Sequence, residues 1–262
     1  MDTSLKNKRA LVTGAGAGIG REIAEAFAKE GASVAVHGRS LERISDTLNA
    51  INNNGGKAVP AIADLRSSSA INEMCQATTK QLGGLDILVN NAGVCSLANT
   101  DEMKQETWET ILETNLTAPF LITQAVYSSL KKSGTNASVI FISSIAANAH
   151  TAGWGAYAAS KSGLDAFMHC LADELGVHGV RVNTIAPGWV ETKMAKQVHK
   201  DMASETNVSF EALYDESMRA NMLSKILTAD SIADMAVFLA SERSKFITAQ
   251  TLAVCGGDQP GR

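Results

Sequence analysis

Apolar positions along this chain follow two alternating rhythms. Short, nearly continuous apolar runs occur at "ALVT" (10–13), "VAVH" (34–37), "AVPAI" (58–62), "ILVN" (87–90), "VIFIS" (139–143), "RVNTIA" (181–186) and "LAVC" (252–255). Most are too short and too apolar for half-exposed strands, which predicts strands covered on both faces. Between them lie helix-length stretches with apolar residues three and four apart. One spans 41–53, with Leu41, Ile44, Leu48 and Ile51 on a stripe; another spans about 154–175, with Leu164, Phe167, Met168, Leu171 and Leu175. Strand, helix and strand repeated at this interval imply right-handed crossovers and a parallel sheet. The predicted fold class is α/β, a single doubly wound domain over 1–262 with about seven parallel strands and helices on both faces. The one irregular segment, 189–226, is too long for an ordinary loop yet carries helical patterning, which reads as a substrate lid.

Composition narrows the function classes. At 262 residues, with 45% hydrophobic and 19% charged residues, the chain suits one large globular domain. A net charge of −4 gives no electrostatic footprint for nucleic acid. No apolar run approaches the roughly 18 residues of a membrane span, and the N-terminus has no signal-like apolar core, so a soluble cytoplasmic protein is expected. Cys75, Cys95, Cys170 and Cys255 are scattered, and the five histidines form no HExxH, so no metal site is expected. The absence of GxSxG and of a P-loop argues against an α/β-hydrolase or a P-loop NTPase.

The segment "TGAGAGIGREIAEAFAKEGA" (13–32) follows the first strand and opens the first helix. Gly14, Gly18 and Gly20 allow backbone to approach a pyrophosphate at the unpaired N–H groups of a helix N-terminus. Ile19 stands where a GxGxxG turn needs its last glycine. Between strand and helix, the turn predicts dinucleotide binding. An NAD-selective site usually ends its second strand with a carboxylate for the ribose 2′-hydroxyl. Here "VAVHGRS" has Gly38, then Arg39 and Ser40. A guanidinium binds a 2′-phosphate bidentately, so NADP(H) is favoured over NAD(H), unless Arg39 is simply solvated. Asp64, in "ADL", is placed either to accept from an adenine amino group or to open the next helix.

Tyr157 stands four positions before Lys161, which puts the two one turn apart on a helix. Tyr127 and Lys131 show the same spacing, so spacing alone proves nothing. The surroundings differ: Tyr157 follows the buried run "VIFIS", whose carboxyl end is where ligands sit in such sheets, whereas Tyr127 lies near the end of its helix.

The set "TGAGAGIG", "ADL", "NNAG" (90–93), "TNL" (114–116), "ISS" (142–144), "YAASK" (157–161) and "PGWVET" (187–192) stands in an order and spacing that resemble the short-chain dehydrogenase/reductase family. The resemblance covers the whole chain and implies a Rossmann-type domain that usually forms homotetramers. It implies a catalytic group of Asn115, Ser144, Tyr157 and Lys161. Tyr157 would be the acid/base, with the Lys161 ammonium lowering its pKa and holding the nicotinamide ribose. Ser144 would bind the substrate oxygen, and Asn115 would retain a relay water. Asn90 would tie neighbouring strands, while Gly93 would admit the cofactor ribose. Ser40, Leu65 and Asn91 would line the cofactor site beside Arg39 and Asp64. Pro187 and Gly188 would turn the chain so that the Val190 backbone and the Thr192 hydroxyl hold the carboxamide. In place of the acidic residue often found before the C-terminal "GG", this chain has Cys255.

Segments 94–97 and 150–154 and the lid should wall the substrate pocket. Val94, His150, Trp154, Trp189, Met194 and Tyr214 would make it largely apolar, fitting a mid-sized ketone or secondary alcohol; each is equally compatible with core or subunit contact. The expected function is an NADP(H)-dependent carbonyl reductase. Alternatives are a 3-oxoacyl-thioester reductase, an NAD-linked alcohol or polyol dehydrogenase, and, from a different class, a nucleotide-binding sensor without turnover.

Overall fold

The computed structural model describes residues 4–148, 151–204, 206 and 208–258. Seven strands form one all-parallel sheet in the order β3-β2-β1-β4-β5-β6-β7. They are β1 (Arg9–Val12), β2 (Ser33–Gly38), β3 (Lys57–Ile62), β4 (Ile87–Asn90), β5 (Ser138–Ile142), β6 (Arg181–Pro187) and β7 (Gln250–Val254). Each lies within two residues of its predicted run. The helices are α1 (Gly18–Lys29), α2 (Leu41–Asn53), α3 (Ser68–Leu82), α4 (Gln105–Leu112), α5 (Ala118–Ser133), α6 (Gly155–Gly176), α7 (Lys193–Ser204), α8 (Phe210–Arg219) and α9 (Ala229–Ala240). The fold is the Rossmann-type doubly wound α/β domain.

Side-chain alternation divides each central strand between two cores. Ala10, Val12, Val34, Val36, Ile140 and Ile142 face α1, α2 and α9. Leu11, Ala35, Leu88, Val139 and Phe141 face α3, α5 and α6. Because both faces are covered, these strands are continuously apolar. The edge strands depart from that expectation: β3 and β7 are largely exposed, since each has a neighbour on one side only. Leu41 also departs from its predicted stripe. It opens α2 at the sheet's rim and is 58% exposed, while Ile44 and Ile51 are buried. The strand order reverses between β1 and β4, and the carboxyl ends of these strands flank a crevice at that switch point. Residues 189–226 contain α7 and α8; positions 205 and 207 of this segment lie outside the described residues.

Candidate active site

The glycine turn joins β1 to α1 at the crevice. Gly14 (φ +63°) and Gly18 (φ +55°) occupy left-handed backbone that a side chain would strain. A Cβ at Gly20 would collide with the Gly14 carbonyl and the Asn91 amide, so Gly20 lets α1 start against β4. Gly16, which the motif reading passed over, is equally constrained: a Cβ there would strike the Arg43 carbonyl oxygen of α2. Gly16→Ala is expected to destabilise the fold by about 1–3 kcal/mol through this overpacking, measured by urea unfolding.

Two side chains, buried His37 and half-buried Asn91, hold the turn. His37 of β2 accepts from the Gly14 N–H at Nδ1 (3.0 Å), which leaves Nε2–H to donate to the Ala63 carbonyl (3.2 Å). Burial lowers its pKa to about 4, the Ala63 carbonyl opposing, so the ring is neutral near pH 7. Asn91 donates through Nδ2 to the Thr13 carbonyl at 2.8 Å, and its backbone N–H donates to Thr13 Oγ1 at 2.9 Å. The strand tie expected of Asn90 therefore belongs to Asn91. Asn90 instead donates to Thr123 on α5 at 3.3 Å, because alternation turns its side chain to the opposite face.

From this turn a cleft of about 980 Å³ runs along the strand ends. At its far end Arg39, Arg43 and Arg66 line the wall with Glu42 and Asp46. At Gly38 a Cβ would lie 2.5 Å from Ile44 Cγ2, so the place of the NAD-type carboxylate admits no side chain unless α2 repacks. Asp64 and Leu65 also line the cleft, but the Asp64 carboxylate is already engaged. Arg66 reaches it by backbone N–H (3.0 Å) and by guanidinium (3.0 Å), and these hydrogen bonds hold its pKa below the ordinary range. Ser40 precedes α2 without a side-chain cap and, unlike Arg39, does not line the cleft.

Near the middle, Ile19, Gly93, Pro187, Gly188, Val190 and Thr192 line the cleft. Thr192 Oγ1 accepts from the Ala195 N–H at 3.2 Å at the start of α7, and its methyl covers Gly18. A Cβ at Gly188 would lie 3.0 Å from Cys255, so the 187–190 turn packs directly on the end of β7.

The four candidate catalytic side chains meet beyond that point. Asn115 sits in a π-helical turn, Glu113–Thr117, between α4 and α5, where one extra residue pushes it inward. It is fully buried. Its Oδ1 accepts from the Val94 N–H (2.8 Å), and its Nδ2 donates to the Val94 carbonyl (2.9 Å) and to Ser160 Oγ (3.1 Å). With both amide protons spent, the side chain braces the Val94 wall, and a relay water would need another atom, such as the backbone carbonyl. Lys161 is buried on α6, and its Nζ donates to the Ile142 carbonyl at 2.9 Å. The same Nζ lies 5.6 Å from the centroid of the Tyr157 ring. A Cβ at Gly93 would lie 3.5 Å from that Nζ, so the glycine keeps the ammonium open to the cleft.

Ser143 and Ser144 diverge at the end of β5. Ser143 Oγ is buried and donates to the Lys161 carbonyl at 3.4 Å, whereas Ser144 faces Tyr157 across the cleft. Burial pushes the Tyr157 phenol well above its ordinary value, Cys95 adds to this and the Ser144 hydroxyl opposes it. Desolvation, and not the expected acidification by Lys161, governs the Tyr157 phenol here. Burial lowers Lys161 to about 8, with Asp165 and Cys95 acting against the fall. The control pair is different in kind: Tyr127 packs on the α5 side of the core, and Lys131 is exposed to solvent.

Aromatic rings wall the outer end. Trp154 meets Tyr157 edge-on at 5.9 Å and Trp189 at 5.6 Å, and Met194, Val198 and Met202 of α7 complete that wall. Val94 and Cys95 lie opposite. Tyr214 departs from its expected place. Its ring packs on His199 (5.1 Å) and Phe210 (5.4 Å), behind Trp189, because α8 turns that face towards α7 and away from the cleft. His150 lies outside the described residues.

Residues 8–203 match the family model for short chain dehydrogenase. The 3-oxoacyl-acyl-carrier-protein reductase of Escherichia coli is 36% identical over 262 residues, covering 97% of this chain and 98% of that protein. A variant of the actinorhodin polyketide ketoreductase solved with NADPH is 34% identical and superposes with a TM-score of 0.91, covering 98% of both chains. A 7α-hydroxysteroid dehydrogenase solved with NADH and a 7-oxo bile acid is 30% identical, with a TM-score of 0.90 over 98% of this chain and 96% of that one. Among the described residues no helix is long and apolar enough to cross a membrane. The glycine cradle, the cleft and the Ser144, Tyr157 and Lys161 side chains that line it fit a nicotinamide dinucleotide, and the chain belongs to the short-chain dehydrogenase/reductase family, oxidoreductases that act on carbonyls and alcohols with NAD(P)(H).

Proposed function

We propose that this protein is an NADP(H)-dependent oxidoreductase that interconverts a ketone and a secondary alcohol, with Tyr157 as general acid/base. The observation that carries this reading is the convergence of Ser144, Tyr157 and Lys161 on one cleft that continues to the glycine turn and the arginine-lined rim. The cofactor, when bound, supplies or accepts the hydride. Gly14, Gly16, Gly18 and Gly20 would bring backbone and the α1 N-terminus to its pyrophosphate, Asn91 and Gly93 would flank its ribose, and Val190 and Thr192 would hold its carboxamide. Ser144 donates to the substrate oxygen and orients it towards the Tyr157 hydroxyl. Tyr157 gives its proton to that oxygen as negative charge develops there. A half-buried phenol whose pKa is raised by desolvation suits the reducing direction, since the acid is loaded at neutral pH. In the oxidising direction the phenolate must form, so that rate is expected to rise with pH. Lys161 holds a positive charge beside the phenol and stabilises it once the proton has left. Trp154, Trp189 and Met194 exclude water from the reacting carbon, and α7 and α8 close over them as a lid.

The preference for NADP(H) is supported by Arg39, Arg43 and Arg66 at the rim and by the lack of room for an acidic side chain at Gly38. Titration with NADPH and NADH, followed by nicotinamide fluorescence, is expected to favour NADPH by about ten- to a hundredfold, and Arg39→Ala to remove most of that margin. Equal affinities would overturn the cofactor assignment while leaving the reaction class in place. A 3-oxoacyl thioester is the second substrate reading, supported by the Escherichia coli relative; acetoacetyl-CoA reduction tests it. A homotetramer is part of the same proposal, supported by apolar side chains left open on single protomers, including Phe246 near β7 and Trp108 and Phe120 on α4 and α5. Its check is the mass in solution.

A further inference from the structure

The aromatic wall of the cleft continues outward as a line of rings that ends on α8. Trp154 links Tyr157 to Trp189 through edge contacts. Behind Trp189 stands His199 of α7, its ring centroid 4.3 Å from the Trp189 ring at a tilt of 54°. Beyond it, Tyr214 of α8 meets the imidazole edge-on at 5.1 Å. His199 is fully buried, although the rest of this line is indole and phenyl. One edge of its ring is fixed: Nδ1 lies 2.8 Å from the Ala195 carbonyl, one turn earlier on α7. A carbonyl only accepts, so Nδ1 carries the proton and Nε2 keeps the lone pair. Nε2 is buried without a hydrogen-bond partner. Protonation would place a charged N–H there in a site that offers it no acceptor. Burial accordingly lowers the pKa of His199 below 6.5, with the Ala195 carbonyl opposing. The charged groups around the site are engaged elsewhere. Glu191, two residues after Trp189, pairs with Lys196 of α7 at 3.3 Å, and both act on Tyr214. Also on α7, Lys200 lies over the Phe210 ring at 5.9 Å and Asp201 accepts from Gln197 at 2.8 Å. On α8, Asp215 pairs with Arg219 at 2.8 Å, while Glu211 and Glu216 are exposed.

We propose that His199 is a positioning residue for the substrate pocket: its ring, tied to the Ala195 carbonyl and stacked behind Trp189, fixes where that indole stands in the cleft. The consequence for substrate rests on the functional reading above, while the ring contact itself is measurable without substrate. Trp189 lines the cleft beside Trp154, so what backs it decides how much room a ketone finds. A smaller side chain at 199 leaves a gap into which the indole is free to rotate. A large apolar ketone then loses the wall it binds against, whereas the Tyr157 hydroxyl and the glycine turn keep their places. The hydrogen bond to Ala195 sets the plane of the imidazole, which packing alone does not do for a ring. Proton uptake at Nε2 disturbs this arrangement, because the charged ring is drawn towards water, so the wall loosens in acid.

The test uses the full-length protein. Trp189 fluorescence, taken as the difference between wild type and Trp189→Phe, is followed from about pH 8 to about pH 4.5. An imidazolium quenches a neighbouring indole, so the wild-type signal should fall with a midpoint below 6.5, and His199→Phe should abolish the step. With NADPH and a bulky ketone that the protein reduces, His199→Ala should raise KM about tenfold and change kcat by less than about threefold. His199→Phe, which keeps a ring behind Trp189, should restore most of that loss. In the wild type, KM for the same ketone should rise as pH falls through the fluorescence midpoint, and in His199→Phe it should not. If His199→Ala does not fold, the wild type and His199→Phe carry the test through these two pH dependences. An unchanged KM in His199→Ala would overturn the positioning role, as would a fluorescence step that persists in His199→Phe or is missing from the wild type. Turnover that survives Tyr157→Phe would overturn the functional reading instead, and the fluorescence step would still report on the ring contact.

Discussion

Replacing Tyr157 with phenylalanine is expected to lower ketone reduction by about 10²–10⁴-fold, the usual contribution of a positioned general acid. The substitution removes one hydroxyl and keeps the ring. The edge contact with Trp154 at 5.9 Å and the approach of Lys161 to the ring face therefore survive, and the cleft keeps its shape. NADPH affinity should change by less than about twofold, because the glycine turn and the arginine rim are untouched. Steady-state rates with NADPH and a panel of ketones, alongside fluorescence titration of NADPH, make the measurement. Tyr127→Phe is the matched control and should leave turnover unchanged, since its ring packs on the core beside α5. A fall in both variants, or in neither, would sink the assignment of Tyr157 as acid. A nucleotide-binding sensor would show the second pattern, binding the cofactor equally in both variants with no turnover to lose.

Acid should destabilise this protein through His37 by about 3 kcal/mol as pH falls from about 6.5 to about 4. The folded-state pKa, about 4, lies below the ordinary histidine value of 6.5, and burial is the main cause. Between these two values the unfolded chain takes up a proton that the native ring refuses. The contribution is thus fully present above pH 6.5 and lost as pH falls through the window, at about 1.4 kcal/mol for each unit. The sign follows from the bonding: Nδ1 accepts from the Gly14 N–H, and an imidazolium has no lone pair to accept with. Urea unfolding of wild type and His37→Gln at pH 7 and pH 4.5 isolates the effect, because the other titrating groups cancel in the difference. Glutamine removes the titration, so its stability should fall less across that interval by about 2–3 kcal/mol. Parallel losses in the two proteins would show that the ring is not held neutral. The cofactor turn should loosen over the same range, since the Gly14 N–H loses its acceptor when the ring is protonated.

What could be read from the chain and what could not divides along physical lines. Burial on both faces forces the central strands into continuous apolar runs, so each strand lies within two residues of its run, and the parallel sheet follows from the intervening helices. The glycine turn was legible because left-handed backbone and close approach leave few residue types available. The Tyr157–Lys161 spacing survives in the structure as one face of α6 because helix geometry is local. Leu41 misled the stripe reading because periodicity does not tell a rim from a core. Tyr214 went behind the wall rather than into it because the crossing of α7 and α8 decides which ring faces the cleft. The bracing role of Asn115 comes from a π-helical turn, which leaves no signature in residue spacing. The neutral state of His37 is a property of burial and of a partner 26 positions away. Sequence by itself determined the fold, its family and the chemistry available, since these depend on local geometry and on the types of residue present. Only the tertiary structure decided which groups are charged, which are spent on scaffolding and which remain free to react, because desolvation and hydrogen bonding act between segments distant in the chain.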